Sequence, residues 1–196
     1  MLHQHLIAAT RPVARKENIV LHGAWRVTVL ADRLFRVEKD KTGSFNDAAT
    51  QTVWVRDAAP QEFTVEESAS KLTVKTLAAT LVLRGSIEKS YVILDGVRHP
   101  LNNEGNLKGT ARTLDGYSGK NHYRELSEIR LKDGVCSRSG VAVVDDTASL
   151  CLDKEGLVRS RSADELDLTI LSLVKQLPEE QKRFLLAQLR GVAGEK

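Results

Sequence analysis

The chain has 196 residues, of which 41% are hydrophobic and 28% charged, values typical of a soluble globular protein with one well-buried domain and a small appendage. Its apolar runs are only a few residues long, so we expect no segment that crosses a bilayer and no membrane partner. Met1–Thr10 lacks the basic start and apolar core of a signal peptide, which favours a cytoplasmic protein.

The charges are almost balanced. Lysine and arginine exceed aspartate and glutamate by 29 to 26, which gives a net charge of +3. The two signs are interspersed, whereas nucleic-acid-binding proteins usually concentrate positive charge on one face or helix. The charge pattern therefore predicts a mixed, solvated surface and no nucleic-acid partner.

Cysteine and histidine give no sign of a metal or cofactor site. The two cysteines, Cys136 and Cys151, lie at a spacing that a hairpin can bring together, but a cytoplasmic setting favours buried thiols over a disulfide. Together with five scattered histidines they form no zinc-binding spacing. We expect neither a metal nor a cofactor.

Most of the chain alternates apolar and polar residues with the period of two that is typical of β-strands. The clearest segments are Trp25–Leu30, Leu34–Glu38, Thr52–Arg56, Phe63–Glu66, Leu72–Lys75 and Val141–Val144. Such alternation places one set of side chains in a core and the other in water. We predict a mainly β, antiparallel fold.

Turn signals separate these segments at the intervals expected of antiparallel strands. They are Lys41–Ser44, Asp57–Pro60, Asp95–Gly96 and Asp133–Gly134. Asp-Gly pairs favour hairpin turns because glycine accepts a positive φ at little cost. Asp145–Asp146 follows a valine-rich strand, and we expect its carboxylates to accept backbone N–H groups in a turn.

Two regions differ from this pattern. Residues 99–124 contain Pro100 and four glycines with little periodicity, which predicts a long loop, either functional or merely tolerated at the surface. Near the end, Leu166–Ile170 is predicted to be a final strand, followed by helix from Leu171 onward. In an alternative, a helix begins at Ser162, because Ser162 and Glu165 have capping-box spacing.

The terminal segment has the features of an amphipathic helix. Proline is tolerated at the first helical position, and Pro178 is followed by two glutamates that favour the positive end of the helix dipole. Phe184, Leu185 and Leu189 form an apolar stripe. The predicted organisation is a β domain over residues 1–170 and a helical appendage over 171–196, which covers apolar surface in its own chain or joins two copies.

Several short motifs follow one another in a fixed order over about residues 20–167. They are Trp25–Leu30, Arg33–Glu38, Gly43–Asp47, Thr50–Gln51, Val55–Arg56, Asn106–Gly116, Asp133–Gly140 and Val144–Thr147. Their order resembles that of the N-terminal domain of family 31 glycoside hydrolases, which include α-glucosidases and α-xylosidases. Asn106–Asp115 is the most specific part. Lys108 and Val141 stand where the family has a glycine and a tryptophan.

The resemblance implies an antiparallel β-sandwich of the galactose-mutarotase-like kind. Members of the family hydrolyse α-glycosidic bonds with two carboxylates on a barrel that follows this domain. The family's nucleophile segment, which contains a methionine, is absent, since Met1 is the only methionine. The residues after Ile170 are too few for a barrel of about 200 residues. The expected function is therefore a non-catalytic module of a truncated or split hydrolase.

The resemblance also places a loop of this domain near the substrate cleft. Arg112, Asp115 and Tyr117 are the candidate carbohydrate-binding residues, because tyrosine can stack on a sugar ring while aspartate and arginine bind hydroxyl groups. Arg112 and Asp115 can equally form an ion pair that fixes the loop. The expected partners are a carbohydrate, a second copy of the chain, or a separate barrel chain with which it would form an active α-glycosidase.

A different alternative is an enzyme in its own right. The sandwich of the family is similar to that of aldose epimerases, in which histidine and carboxylate side chains transfer protons. His99 and His122 flank the long loop, and Glu104 or Glu125 are the carboxylates that could accompany them. No epimerase motif surrounds these residues.

Overall fold

The computed structural model describes residues 9–102, 104–110, 129–153, 157–159 and 166–172. Within these ranges helix is confined to two 3₁₀ turns, Lys16–Asn18 and Ile87–Lys89. All other regular structure is β. The strands are β1 (Ile19–His22), β2 (Trp25–Ala31), β3 (Leu34–Lys39), β4 (Ala49–Thr50), β5 (Phe63–Ser68), β6 (Lys71–Thr76), β7 (Ala79–Arg84), β8 (Tyr91–Leu94), β9 (Val97–Pro100), β10 (Asn106–Lys108), β11 (Asp133–Ser137), β12 (Val141–Asp145), β13 (Cys151–Leu152), β14 (Val158–Arg159) and β15 (Leu166–Ser172).

Two five-stranded sheets are the largest in the part of the chain that the structure describes. The first large sheet has the order β1-β2-β3-β15-β12, and the second has the sequential order β5-β6-β7-β8-β9. Two small sheets accompany them, β14-β13-β4 and β10-β11. Every strand pair is antiparallel, so the predicted mainly β, antiparallel fold is confirmed.

One apolar core draws on both large sheets. The inward side chains of the first sheet include Val27, Phe35 and Ile170, and those of the second include Leu72 and Leu81, all fully buried. Burying one such side chain contributes roughly 1.5–3 kcal/mol. The apolar half of the predicted alternation therefore builds this core.

The final predicted strand is confirmed, but it is longer than expected. β15 runs through Ser172 and pairs with β3 on one side and β12 on the other. The prediction of helix from Leu171 is therefore wrong for Leu171 and Ser172, which are strand. The alternative helix from Ser162 is wrong as well, because it would include the residues of β15. The rest of the predicted appendage, including Pro178 and the apolar stripe, lies outside the described residues.

Thr52–Arg56 is not a strand, contrary to prediction. The backbone turns back on itself, because Thr50 N donates to Val53 O at 3.1 Å and Thr50 Oγ1 accepts from Val53 N at 2.9 Å. Only Val55 pairs with another segment, in an isolated parallel bridge to Arg11. The hydroxyl of Thr50 therefore offers this backbone a local alternative to a sheet ladder.

The two Asp-Gly pairs have different structures. Asp95 and Gly96, with φ of 50° and 80°, form the predicted tight turn between β8 and β9. Asp133–Gly134 lies inside β11, so the turn predicted there is wrong. A Cβ at Gly134 would lie 2.9 Å from the carbonyl oxygen of Leu107 on β10, and glycine is needed for that close approach.

Of the two turns predicted before residue 61, Lys41–Ser44 contains one, whereas residues 57–60 are irregular and contain none. In Lys41–Ser44, Asp40 Oδ1 accepts hydrogen bonds from both N and Oγ1 of Thr42, at 2.6 and 2.5 Å, and Gly43 has a φ of 71°. In the irregular segment 57–60, the buried Asn18 amide donates to Ala58 O and Ala59 O at 3.2 and 3.0 Å. In both segments, side chains thus bind backbone groups that no strand ladder pairs.

The predicted long loop is shorter at its beginning. His99 and Pro100 belong to β9, and Asn106–Lys108 form β10, while residues 111–128 lie outside the described residues. The buried side chain of Asn106 donates to Gly134 O and Val143 O at 2.8 and 2.7 Å. This amide ties β10 and β11 to β12 of the first large sheet.

The cysteines are both free. Cys151 is buried, as predicted, and its sulfur accepts a hydrogen bond from Asn46 Nδ2 at 3.3 Å. Cys136 is exposed on β11, so the prediction of a buried thiol is wrong there. Within the described residues, β11 belongs to a two-stranded sheet with the short β10.

Candidate functional site

The loop residues proposed from the sequence, Arg112, Asp115 and Tyr117, all lie outside the described residues. The same holds for His122 and Glu125. The site that the structure describes is instead a group of buried charges on the outer side of the first large sheet. The alternating sequence pattern predicts that these side chains are exposed to solvent.

The polar half of the alternation in β2 and β3 is buried. Arg26, Thr28, Arg36 and Glu38 lie on the face of the sheet opposite the apolar core, yet none is more than 7% exposed. The prediction that this set lies in water is therefore wrong. The physical reason is that other parts of the chain cover this face. The segment from Phe45 to Arg56, here called the covering segment, contacts Arg26, and the turn after β12 contacts Arg36.

Three of these side chains form a charge network with two further buried residues. It consists of Arg26, Arg36, Glu38, Asp146 and Asp167. Arg26, Glu38 and Asp167 lie side by side across β2, β3 and β15 because of the strand register. Arg26 holds Glu38 in a bidentate pair, with both N–O distances at 2.8 Å. A bidentate charged pair is the strong form of such a contact.

Arg36 lies at the centre of the charge network and is fully buried. Its Nε is 3.4 Å from Glu38 Oε1, its Nη1 donates to Asp146 Oδ2 at 3.2 Å, and its Nη2 donates to Asp167 Oδ2. One guanidinium thus contacts three carboxylates from β3, from β15 and from the turn after β12. A buried charge is tolerated only when it is paired in this way.

The covering segment is bound through the same charges. Arg26 Nη1 is 2.8 Å from Asp47 Oδ1, and its guanidinium lies 4.6 Å from the ring centroid of Phe45. Thr50 Oγ1 donates to Asp146 Oδ2 at 2.7 Å. The charge network therefore fastens the segment that covers it.

Arg56 approaches the charge network from the covering segment. It is 1% exposed and donates to the carbonyl oxygens of Asn46 and Ala48 at 3.2 and 2.7 Å. Burial and the like charge of Arg36 lower the pKa of Arg56 to about 10, against the opposing attraction of Glu38 and Asp167. Its contacts shape the backbone of residues 46–48.

The ionisation of Glu38 follows from its neighbours. Burial by itself would raise the pKa of Glu38, but the hydrogen bond from Arg26 and the charges of Arg36, Arg26 and Arg56 hold it below its ordinary value. Burial likewise would lower the pKa of Arg26, but Glu38 and Asp47 raise it. The pair is therefore charged at neutral pH.

The predicted turn at Asp145–Asp146 is half right. Asp145 Oδ1 accepts from Thr147 N at 3.0 Å, as expected of an aspartate in a turn. Asp146 is fully buried and binds Arg36 and Thr50 instead. The sequence does contain a signal for this buried charge. One carboxylate suffices for the turn, so a second aspartate beside it indicates another role.

A small cleft opens between the two large sheets at one end of the core. It has a volume of about 180 Å³ and is lined mainly by His22, Trp25, Leu83, the turn at residues 69–70 and the end of β7. His22 Nδ1 is 3.6 Å from Glu67 Oε2, and Lys39 Nζ lies 4.9 Å from the Trp25 ring. The cleft is small beside typical ligand pockets of about 300–1,000 Å³.

The histidine and carboxylate considered for proton transfer do not meet. His99 is half-buried on β9, and no hydrogen bond or ion pair joins it to a carboxylate of the described residues. Glu104 is exposed, and its backbone N donates to Asn102 Oδ1 at 3.3 Å. His99 and Glu104 therefore form no acid–base pair with each other.

No group of three or more histidine, cysteine, aspartate or glutamate side chains in the described ranges is placed to hold a metal ion. Among the same residues, none forms a helix with both the length and the apolar character needed to cross a membrane. Neither a model of a known protein family nor a curated protein matches the chain.

Proposed function

We propose that these residues form a non-catalytic β-sandwich module of the galactose-mutarotase-like kind, similar to the N-terminal domain of family 31 glycoside hydrolases, which binds a carbohydrate or a protein partner. Two five-stranded antiparallel sheets that share one apolar core support a sandwich.

The observation that carries the proposal is the meeting of the resembling motifs in the charge network. Arg26 and Glu38 come from the first two motifs, Asp47 and Thr50 from the next two, and Asp146 from the last. All five make side-chain contacts within one group of buried charges. Motifs spread over 120 residues, from Arg26 to Asp146, thus contribute to one structural feature. This supports the resemblance, which rests on the order of these motifs.

The same geometry favours a structural role over a catalytic one. Hydrolysis of a glycosidic bond needs two carboxylates on either side of an accessible substrate. Glu38, Asp146 and Asp167 are fully buried, and each contacts Arg36. They hold the covering segment against the sheet, where no sugar ring can reach them.

Two alternatives remain distinct proposals. The module is part of an α-glycosidase that is active only with a separate barrel chain, or it is a sugar-modifying enzyme of the epimerase type. The separation of His99 from any described carboxylate partner disfavours the second, because proton transfer needs positioned acid and base groups.

The test has two arms. The purified chain is assayed with aryl α-glucosides and α-xylosides, and no turnover is expected. Binding of the neutral α-glucan dextran is then measured by calorimetry, with and without an added family 31 barrel chain. Turnover that survives rigorous purification contradicts the non-catalytic module. Activity that appears only with the barrel chain supports the first alternative.

A further inference from the structure

The outer face of the second large sheet carries a concentration of positive charge. The inward side chains of β6–β8, such as Leu72, Leu81 and Val92, belong to the apolar core. Because successive residues of a strand point to opposite faces, their neighbours point outward. The cations on that outward side are Lys71, Lys75, Arg84 and Arg98, here called the basic face. Glu66 is the one carboxylate that the alternation places among them.

The arrangement within the basic face is electrostatically unfavourable by itself. Lys71 and Arg84 are directly opposite each other on β6 and β7. Like charges at such cross-strand positions destabilise a sheet. None of the four cations forms an ion pair with a described residue, in contrast to the paired arginines of the first large sheet. An anionic ligand would relieve the repulsion.

The dimensions indicate an extended ligand. Lys71 and Lys75 are four residues apart on β6, which corresponds to about 13 Å at roughly 3.3 Å per residue. Arg98 lies on β9, three strands away, or about 14 Å at a strand spacing of roughly 4.8 Å. Charges spread over such an area match a chain with repeated negative groups better than one small anion.

We propose that the basic face binds an acidic polysaccharide. Threonine hydroxyls lie among the cations, namely those of Thr64 and Thr80, which the register places on the same side. Hydroxyl groups can both donate to and accept from the hydroxyls of a sugar. The ligand class rests on the proposed carbohydrate-binding function, whereas the location rests on the charges alone.

Two other anionic polymers fit this face less well. Single-stranded nucleic acid is usually bound by aromatic rings on which bases stack, but Tyr91 is already covered by the guanidinium of Arg98 at 4.7 Å from the ring centroid. Peripheral binding to a membrane usually adds exposed apolar side chains. The apolar members of this face, Val82 and Ile93, are buried and half-buried.

The experiment measures binding of alginate, a polymer of uronic acids, to the full chain by calorimetry. Dextran is the neutral polysaccharide, and single-stranded DNA and phosphatidylserine vesicles are the other anions. The double variant K71Q/R84Q removes the facing cations and is expected to bind alginate roughly tenfold more weakly. The matched control is R15Q/K16Q, which removes two exposed cations that precede the first large sheet and is expected to bind like the parent chain.

Binding of alginate that weakens with salt and with K71Q/R84Q but not with the control supports the proposal. Equal losses in both variants, no binding of alginate, or tighter binding of DNA or vesicles would overturn it. If alginate does not bind but dextran does, the basic face is excluded while the carbohydrate-binding module stands. Turnover of an aryl α-glycoside contradicts the non-catalytic module and leaves the alginate result to decide the basic face.

Discussion

The two large sheets carry charged residues on their outer faces in the same alternating pattern. In one sheet these charges are buried, whereas in the other they are exposed. In the first sheet, Arg36 and Glu38 are fully buried and paired beneath the covering segment. In the second, Lys75 and Arg84 are exposed, and neither forms an ion pair with a described residue. Alternation in a strand thus tells which side chains share a face. It does not tell whether that face meets water or another layer of protein.

The largest expected difference in stability is between replacing a buried arginine of the first sheet and an exposed arginine of the second. Arg36→Leu leaves Glu38, Asp146 and Asp167 buried without their shared cation, and should lower the free energy of unfolding by about 3–5 kcal/mol. Arg84→Leu, at an exposed position of the basic face, should change it by less than about 0.5 kcal/mol. Urea unfolding followed by fluorescence measures both. Equal effects would show that burial does not distinguish the faces.

A second, intermediate effect depends on pH. Glu38→Gln should cost about 1.5–3 kcal/mol at neutral pH, because a charged hydrogen-bonded pair is broken. The folded-state pKa of Glu38 is lowered, so its contribution is complete above about pH 4.5 and is lost as the pH falls through the folded-state value. The stability difference between the parent and this variant should therefore shrink in acid.

The control for that measurement is Glu66→Gln, which removes the carboxylate of the basic face. Its free energy of unfolding at neutral pH should lie within about 0.5 kcal/mol of the parent value, since Glu66 is exposed and has no ion pair with a described residue. A constant gap between the parent and Glu38→Gln down to pH 3 would contradict the stated role of Glu38.

The smallest expected effect compares two threonines. Thr50→Val removes the hydroxyl that bonds both Asp146 and Val53, and should cost about 1–2 kcal/mol. Thr80→Val, on the outer side of β7, should change stability by less than about 0.5 kcal/mol, since valine suits a strand equally well. Thermal unfolding of both variants measures the difference. An unchanged stability of Thr50→Val would show that the hydroxyl does not help to hold the covering segment.

The sequence predicts the strands well where local pattern decides the outcome. Strands form as predicted at Trp25–Leu30, Leu72–Lys75 and Leu166–Ile170. In these segments apolar and β-branched residues alternate with polar ones, and the apolar set packs into the shared core. The prediction is wrong at Thr52–Arg56 because a single hydroxyl, that of Thr50, closes a turn through contacts that hydrophobicity does not encode. At Gly134 it is wrong because the neighbour that requires glycine, Leu107, is distant in the sequence.

The charge network was harder to foresee than the strands. Members in direct contact lie up to 131 residues apart, as Arg36 and Asp167 do, and a single sequence offers no pairing rule at that distance. Each residue taken alone resembles an ordinary surface charge. What unites them is the register of β3 against β15, which is a property of the assembled sheet.

That register has a consequence for synthesis on the ribosome. β3 pairs with β2 early, but its other edge has no strand until Leu166–Ser172 emerges, more than a hundred residues later. During that interval the nascent chain exposes an unpaired edge and an arginine that still lacks Asp146 and Asp167. Such edges invite association with other chains. Completion of the first large sheet therefore waits for β15, and chaperone demand should fall once β15 is inserted.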